Sequence, residues 1–261
     1  MKSFIEIVDY IVAAGKGKVE KKSRALILQG ILAGMFIAMG AIGYFKLAAY
    51  TADPGLGKFL GALIFPTGII AILLLGVELF TSDCMAILSV YKKEVELGRF
   101  MKMLTTVVVA NLVGAIIMAA LSTGAGIFSH AMLEGVSKAA VAKTTMPIGR
   151  MFISAILCNI IVCSGVMMAY SAKDVTGKIF AIWFPICLFV LSGTEHIVAN
   201  MFYLMMAFFN GAPITVTGIL TSFGVVTVGN FIGGGIVVAG VNYLMDQDLR
   251  VAKPAAAKKV S

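Results

Sequence analysis

Six long runs of apolar residues dominate the chain, at 25–47, 59–91, 103–130, 151–172, 179–209 and 214–245. A straight helix crosses a bilayer in about 20 apolar residues. The second and fifth runs, of 33 and 31 residues, are too long for one simple span, and each carries a glycine close to an acid. Both read as helices broken in mid-membrane. The sixth run is also long but has no internal charge, so tilt accounts for its length. Ahead of the first run, Phe4, Ile5, Ile7, Val8, Ile11 and Val12 alternate with Lys2, Glu6 and Asp9 at helical spacing. Residues 3–14 therefore predict an amphipathic helix on the membrane surface rather than a signal peptide.

The pattern predicts an all-α integral membrane protein of six spans. Residues 1–24 form an amphipathic and basic N-terminal segment. Residues 25–130 and 151–245 hold three spans each, joined by a connecting segment at 131–150. Residues 246–261 form a disordered tail. Lys and Arg orient this arrangement. The N-terminal segment, the 2–3 and 4–5 loops and the tail carry 16 of the 21, and the 5–6 loop around Asn210–Pro213 carries none. Both termini are expected to be cytoplasmic, in a cell (inner or plasma) membrane.

The two halves repeat. Gly76–Asp83 (GVELFTSD) aligns with Gly193–Asn200 (GTEHIVAN) at an offset of 117. Phe65-Pro66 aligns with Phe184-Pro185, and Asn111-Leu112-Val113-Gly114-Ala115 with Asn230-Phe231-Ile232-Gly233-Gly234, both at 119. An odd number of spans per half makes this an inverted repeat, whose broken helices meet near the midplane.

Composition agrees: 60% of residues are hydrophobic and 13% charged, against about 25% charged in soluble domains. The net charge of +8 is placed in cytoplasmic loops and does not point to nucleic acid. Cys84, Cys158, Cys163 and Cys187 lie in apolar stretches with no CxxC pair, so they read as small buried hydrophobes rather than metal ligands or disulfides. No cofactor is implied.

The acidic and imidazole groups inside the spans reduce to Glu78, Asp83, Glu195 and His196, all at the two breaks. A charge at the bilayer centre costs at least about 2.5 kcal/mol. Glu78 and Glu195 read first as partners for free N–H groups at helix starts, and Asp83 and Asn200 as caps or bridges of the two loops. His196 breaks the symmetry of the repeat, as does Thr81. A pore-lining role suits both: the imidazole can donate a hydrogen bond or a proton to a small anion, and the hydroxyl can donate or fix the ring's tautomer. Phe65, Ile69, Leu79, Phe80 and Phe189 flank the breaks. Each can be ordinary packing; together they can form two dry constrictions.

Gly76–Asp83, the segment GTEHIVANM at 193–201 and AILCNIIVC at 155–163 together resemble the formate/nitrite transporter family, over nearly the whole chain from Phe4 to about Tyr243. The resemblance implies an aquaporin-like fold assembled as a homopentamer, one pore per protomer, with lipid plugging the fivefold axis. It implies that Thr81 and His196 face the substrate, and that Phe65, Ile69, Leu79, Phe80, Phe189 and Ala199 form the constrictions. Lys143 and Asn159 match positions implied to attract or guide the anion, and residues 1–16, ending at Lys16, the segment implied to gate the pore. Substrates in the family are small monovalent anions such as hydrosulfide, formate and nitrite. The hydrosulfide branch looks nearest, with formate close behind. Ile69, where formate channels often carry leucine, and Val77 within the loop leave the anion open. A channel for water or small neutral solutes is the alternative. An enzyme is not expected, because no nucleophilic or metal-ligand constellation is present.

Overall fold

The computed structural model describes residues 1–257, and every regular element among them is helical. Five apolar helical stretches are long enough to cross a membrane: α2 (Ser23–Tyr50), α3 and α4 together (Pro54–Ile64, Thr67–Leu75), α7 (Leu97–Gly124), α9 (Ile148–Ser171), and the last stretch, Val216–Val251. Three shorter apolar stretches complete the set: Phe80–Tyr91, Val175–Leu191 and Ile197–Phe209. The first begins as α5 (Phe80–Asp83), tightens to a 3-10 turn at Cys84–Ile87 and ends as α6 (Leu88–Tyr91). The others are α10 and α11. The breaks fall after Leu75 and after Leu191, inside the two runs read as discontinuous.

The halves are held by matching close approaches. A Cβ on Gly34 or Gly114 would stand 2.1 or 2.0 Å from a backbone oxygen of the facing helix, so α2 and α7 touch backbone to backbone. Gly233 is equally tight against the Ile156 carbonyl of α9, at 2.3 Å. Without a hydrophobic force between helices in lipid, such small-residue contacts supply the packing.

Several expectations change. The sixth run is not one tilted helix. It is α12 (Val216–Phe231), a π segment at Ile232–Val238 and α13 (Ala239–Ala257). Gly233, Gly234 and Gly235 let this wide turn sit against α9 and the 3-10 turn, and the Tyr91 hydroxyl donates to the Gly235 carbonyl at 3.0 Å. The tail expected to be disordered from 246 continues as helix to Ala257, because Asp246 is buried between Lys92 and Arg250. Residues 258–261 of that expectation lie outside the described residues. The connecting segment is largely a helix, α8 (His130–Thr144), capped by Ser129. The N-terminal helix α1 runs Phe4–Glu20, further than the expected 3–14, and buries Ile7, Val8, Ile11 and Gly15 against the protein.

Span 2 has a second irregularity at Phe65-Pro66, where α3 passes to α4. The only tryptophan, Trp183, donates its indole N–H to the Leu63 carbonyl there at 2.9 Å. Trp183→Phe keeps the ring and removes the donor. Thermal unfolding of the detergent-solubilised protein should show a loss of about 1 kcal/mol, a drop of a few degrees in Tm. An unchanged Tm would mean that the bond contributes nothing.

Candidate functional site

Each break is built the same way. Gly76 and Gly193 end the first half-helices with φ of 65° and 64°, a conformation that favours glycine. The chain then runs extended to Leu79 and His196, where the second half-helices start. One asparagine locks each loop. Asn111 accepts the Phe80 N–H at 2.9 Å and donates to the carbonyls of Glu78 at 3.0 Å and Gly30 at 2.8 Å. Asn230 accepts the Ile197 N–H at 2.9 Å and donates to the carbonyls of Glu195 at 2.9 Å and Ala155 at 2.7 Å. Unpaired backbone groups at this depth have no water to turn to. These two residues had not been singled out, although the repeat aligned them. An asparagine buried at the same register in both halves was the available signal.

The structure brings Thr81 and His196 together: Oγ1 and Nε2 are 3.0 Å apart, and both side chains are buried. His196 also caps α11, its Nδ1 accepting the Ala199 N–H at 3.2 Å. A backbone N–H can only donate, so Nδ1 carries no hydrogen and the neutral ring holds its proton on Nε2. Nε2–H then points at Thr81, whose own hydroxyl hydrogen is left to donate elsewhere. Phe189 stacks on the imidazole with ring centres 5.4 Å apart, and Phe65 meets Phe189 edge-on at 5.6 Å. Ile69, Leu79, Phe80 and Ala199 are buried in the same core, and Phe80 also lines a separate lateral cavity of about 170 Å³ between α7 and α12.

Asn159 is buried between the two breaks. Both hydrogens of its amide are used, on the carbonyls of Thr81 at 3.1 Å and Asn230 at 2.6 Å. The Cys163 thiol donates to the Thr81 carbonyl at 3.3 Å and lies 3.6 Å from the Asn159 oxygen. Asn159 thus ties one break to the asparagine that locks the other.

Two cavities open beside the breaks, of about 320 and 380 Å³. Tyr10, Lys18, Lys21, Glu78, Ser82 and Tyr170 line the first; Lys58, Lys143, Glu195, Ala199, Asn200 and Tyr203 line the second. The carboxylates do not satisfy helix-start N–H groups as expected. Glu78 pairs with Lys18 and, at 2.6 Å, with Lys21, while Lys18 also reaches Asp83 at 2.8 Å. Glu195 pairs with Lys143 at 2.9 Å and accepts from the Asn200 amide at 2.6 Å. Burial opposes the charge on Lys18, but Asp83 and Glu78 more than offset it and raise its pKa above the ordinary lysine value. Lys16 is half exposed, 3.5 Å from Glu94, and does not line the cavity.

Comparison with known proteins puts these features in context. Residues 5–244 match the family described as formate/nitrite transporter. The chain is 31% identical to the uncharacterized transporter YrhG of Bacillus subtilis, covering 92% of this chain and 91% of the relative. It is 35% identical to a probable formate transporter of Methanothermobacter thermautotrophicus (82% and 86% covered) and 32% identical to the formate channel BtFdhC of Bacillus thuringiensis (88% and 90%). Among solved structures, it matches an FNT family ion channel with a TM-score of 0.86 at 28% identity, covering 92% of this chain and 98% of that one. A pentameric formate channel with formate bound matches with a TM-score of 0.76 at 27% identity, covering 85% and 97%.

Proposed function

The chain belongs to the formate/nitrite transporter family, and from that premise we propose that it is a membrane channel that passes formate through the Thr81–His196 site. The observation that carries the reading is the 3.0 Å contact of the His196 Nε2–H with the Thr81 oxygen, which leaves the hydroxyl hydrogen free to donate, beside stacked aromatic rings and between two lysine-bearing cavities. Formate presents two oxygens and, by replacing the Nε2–H···Oγ1 contact, can accept from the Thr81 hydroxyl and the His196 Nε2–H together. Hydrosulfide offers a single sulfur, a weaker acceptor. Nitrite shares formate's two-oxygen geometry and is the nearest competitor.

Lys143 at one mouth and Lys18 at the other offer ammonium donors to an arriving anion, their charges balanced at rest by the buried carboxylates. Glu195 and Glu78 hold these ammonium groups in place. The anion sheds water between Phe65, Ile69, Leu79, Phe80, Phe189 and Ala199, and the two donors offset part of that cost. His196 acts in this scheme as a neutral donor. A proton delivered by the ring would first require a hydrogen on Nδ1, at the expense of the Ala199 cap. Asn159 positions Thr81 and does not itself meet the anion. Six spans as an inverted repeat, both termini in the cytoplasm and five copies around a lipid-filled axis complete the reading. The pentameric formate channel of the same fold supports the last of these.

Purified protein in liposomes tests it. Formate uptake should exceed that of hydrosulfide under matched gradients, with nitrite close to formate. Faster hydrosulfide uptake would reassign the substrate. Osmotic water flux without any anion flux would replace an anion channel with a neutral one.

A further inference from the structure

The two mouths differ in the charges they bury. On one side a single acid, Glu195, meets a single ammonium, Lys143, and the next polar residue of the half-helix is an amide, Asn200. On the other side the equivalent of Asn200 is an acid, Asp83. Two carboxylates, Glu78 and Asp83, there share the Lys18 ammonium, with Lys21 on Glu78. The cluster is neutral when both acids are ionised. Asp83 is 1% exposed; its Oδ1 accepts from Lys18, but its Oδ2 is buried with no hydrogen-bond partner. A buried anionic oxygen without a donor is costly, and binding a proton removes that cost. Two residues before it stands Thr81.

We propose that Asp83 is a proton-carrying site that loads the anion with a proton at the Lys18 cavity. Protonation at Oδ2 takes the cluster from neutral to one positive charge, which draws in a formate ion. The carboxyl O–H bond of Asp83 then breaks as the Ser82 hydroxyl, 3.5 Å away and lining the cavity, accepts its proton and passes its own to a formate oxygen, leaving the aspartate ionised and the substrate as neutral formic acid. A proton from the solution on that side, relayed by water in the cavity, reloads the carboxylate; no electrons move. The groups facing Asp83 are Lys18 of α1, Glu78 and Ser82 of the break, Cys84 of the following turn, and Cys163 and Tyr170 of α9. The Lys143 mouth has no second acid, so loading is one-sided.

The inference rests on the formate reading, and Asp83→Asn tests it, since an amide is what the other half of the repeat already carries. In liposomes, the number of protons accompanying each formate is expected to fall by at least about tenfold, and the rate should lose its dependence on pH at the Lys18 side. A wild-type proton-to-formate ratio and pH profile in the variant would overturn the proposal. Infrared difference spectra on acidification give a second readout independent of flux. A protonated-carboxyl C=O band present in the wild type and missing in Asp83→Asn supports the site; the same band in both overturns it. Wild-type protein that carries no formate would overturn the substrate reading, and the infrared comparison would still decide Asp83.

Discussion

Replacing Asn230 by alanine is expected to cost several kcal/mol of stability, the largest single-residue effect in the chain. The change removes one acceptor and two donors at once, leaving the Ile197 N–H and the Glu195 carbonyl unpaired and the Ala155 carbonyl with only its bond within α9. Each orphaned buried group costs roughly 1–3 kcal/mol. The sum is a large part of a typical margin of about 5–15 kcal/mol. Asn111→Ala should behave alike, since it strips the same three bonds from the first break. The four native cysteines are buried, so a thiol-reactive dye reports unfolding without a further label. A fall in Tm on the order of 10 °C is expected for either variant. A fall of only a degree or two would mean that water, not asparagine, holds the breaks open.

The spans, the two breaks and the internal repeat were legible because lipid leaves few ways to write them. A bilayer demands apolar length, a broken helix demands glycine at positive φ, and buried acids must be explained. What was not legible shares a different cause. Lys18 was missed although its phase was readable: it follows Gly15 by three residues and Ile11 by seven, on the buried stripe of α1, whereas Lys16 falls off that stripe. Ending the helix at residue 14 hid this. Helix α8 escaped because its composition is too polar and small for a span, and nothing local says that Lys143 reaches Glu195, 52 residues away. The carboxylates were placed correctly at the breaks and given the wrong partners. Which cation meets a buried acid is decided by tertiary approach, and the sequence shows only the acid. The helical continuation beyond residue 245 likewise depends on Lys92, which is distant in sequence from Asp246.

His196→Asn separates the two jobs of the histidine, and the functional loss it causes is expected to be the largest of any conservative change at the site. Asparagine is as good an N-cap as any residue, so the Ala199 N–H keeps an acceptor and α11 keeps its start. Its side chain is too short to span the 3.0 Å contact from the far side of the imidazole to Thr81. The donor to the anion is lost, together with the ring that stacks on Phe189. A hydrogen bond to a charged partner contributes about 1.5–3 kcal/mol, so formate flux should fall roughly ten- to a hundredfold. Stability should change by no more than about 1–2 kcal/mol. If the ring donates hydrogen bonds and Asp83 supplies the proton, the residual flux of His196→Asn keeps the wild-type dependence on pH at the Lys18 side. If the ring supplies the proton, that dependence disappears with it. Flux undiminished in the variant would remove Thr81–His196 from the path, whatever the pH profile.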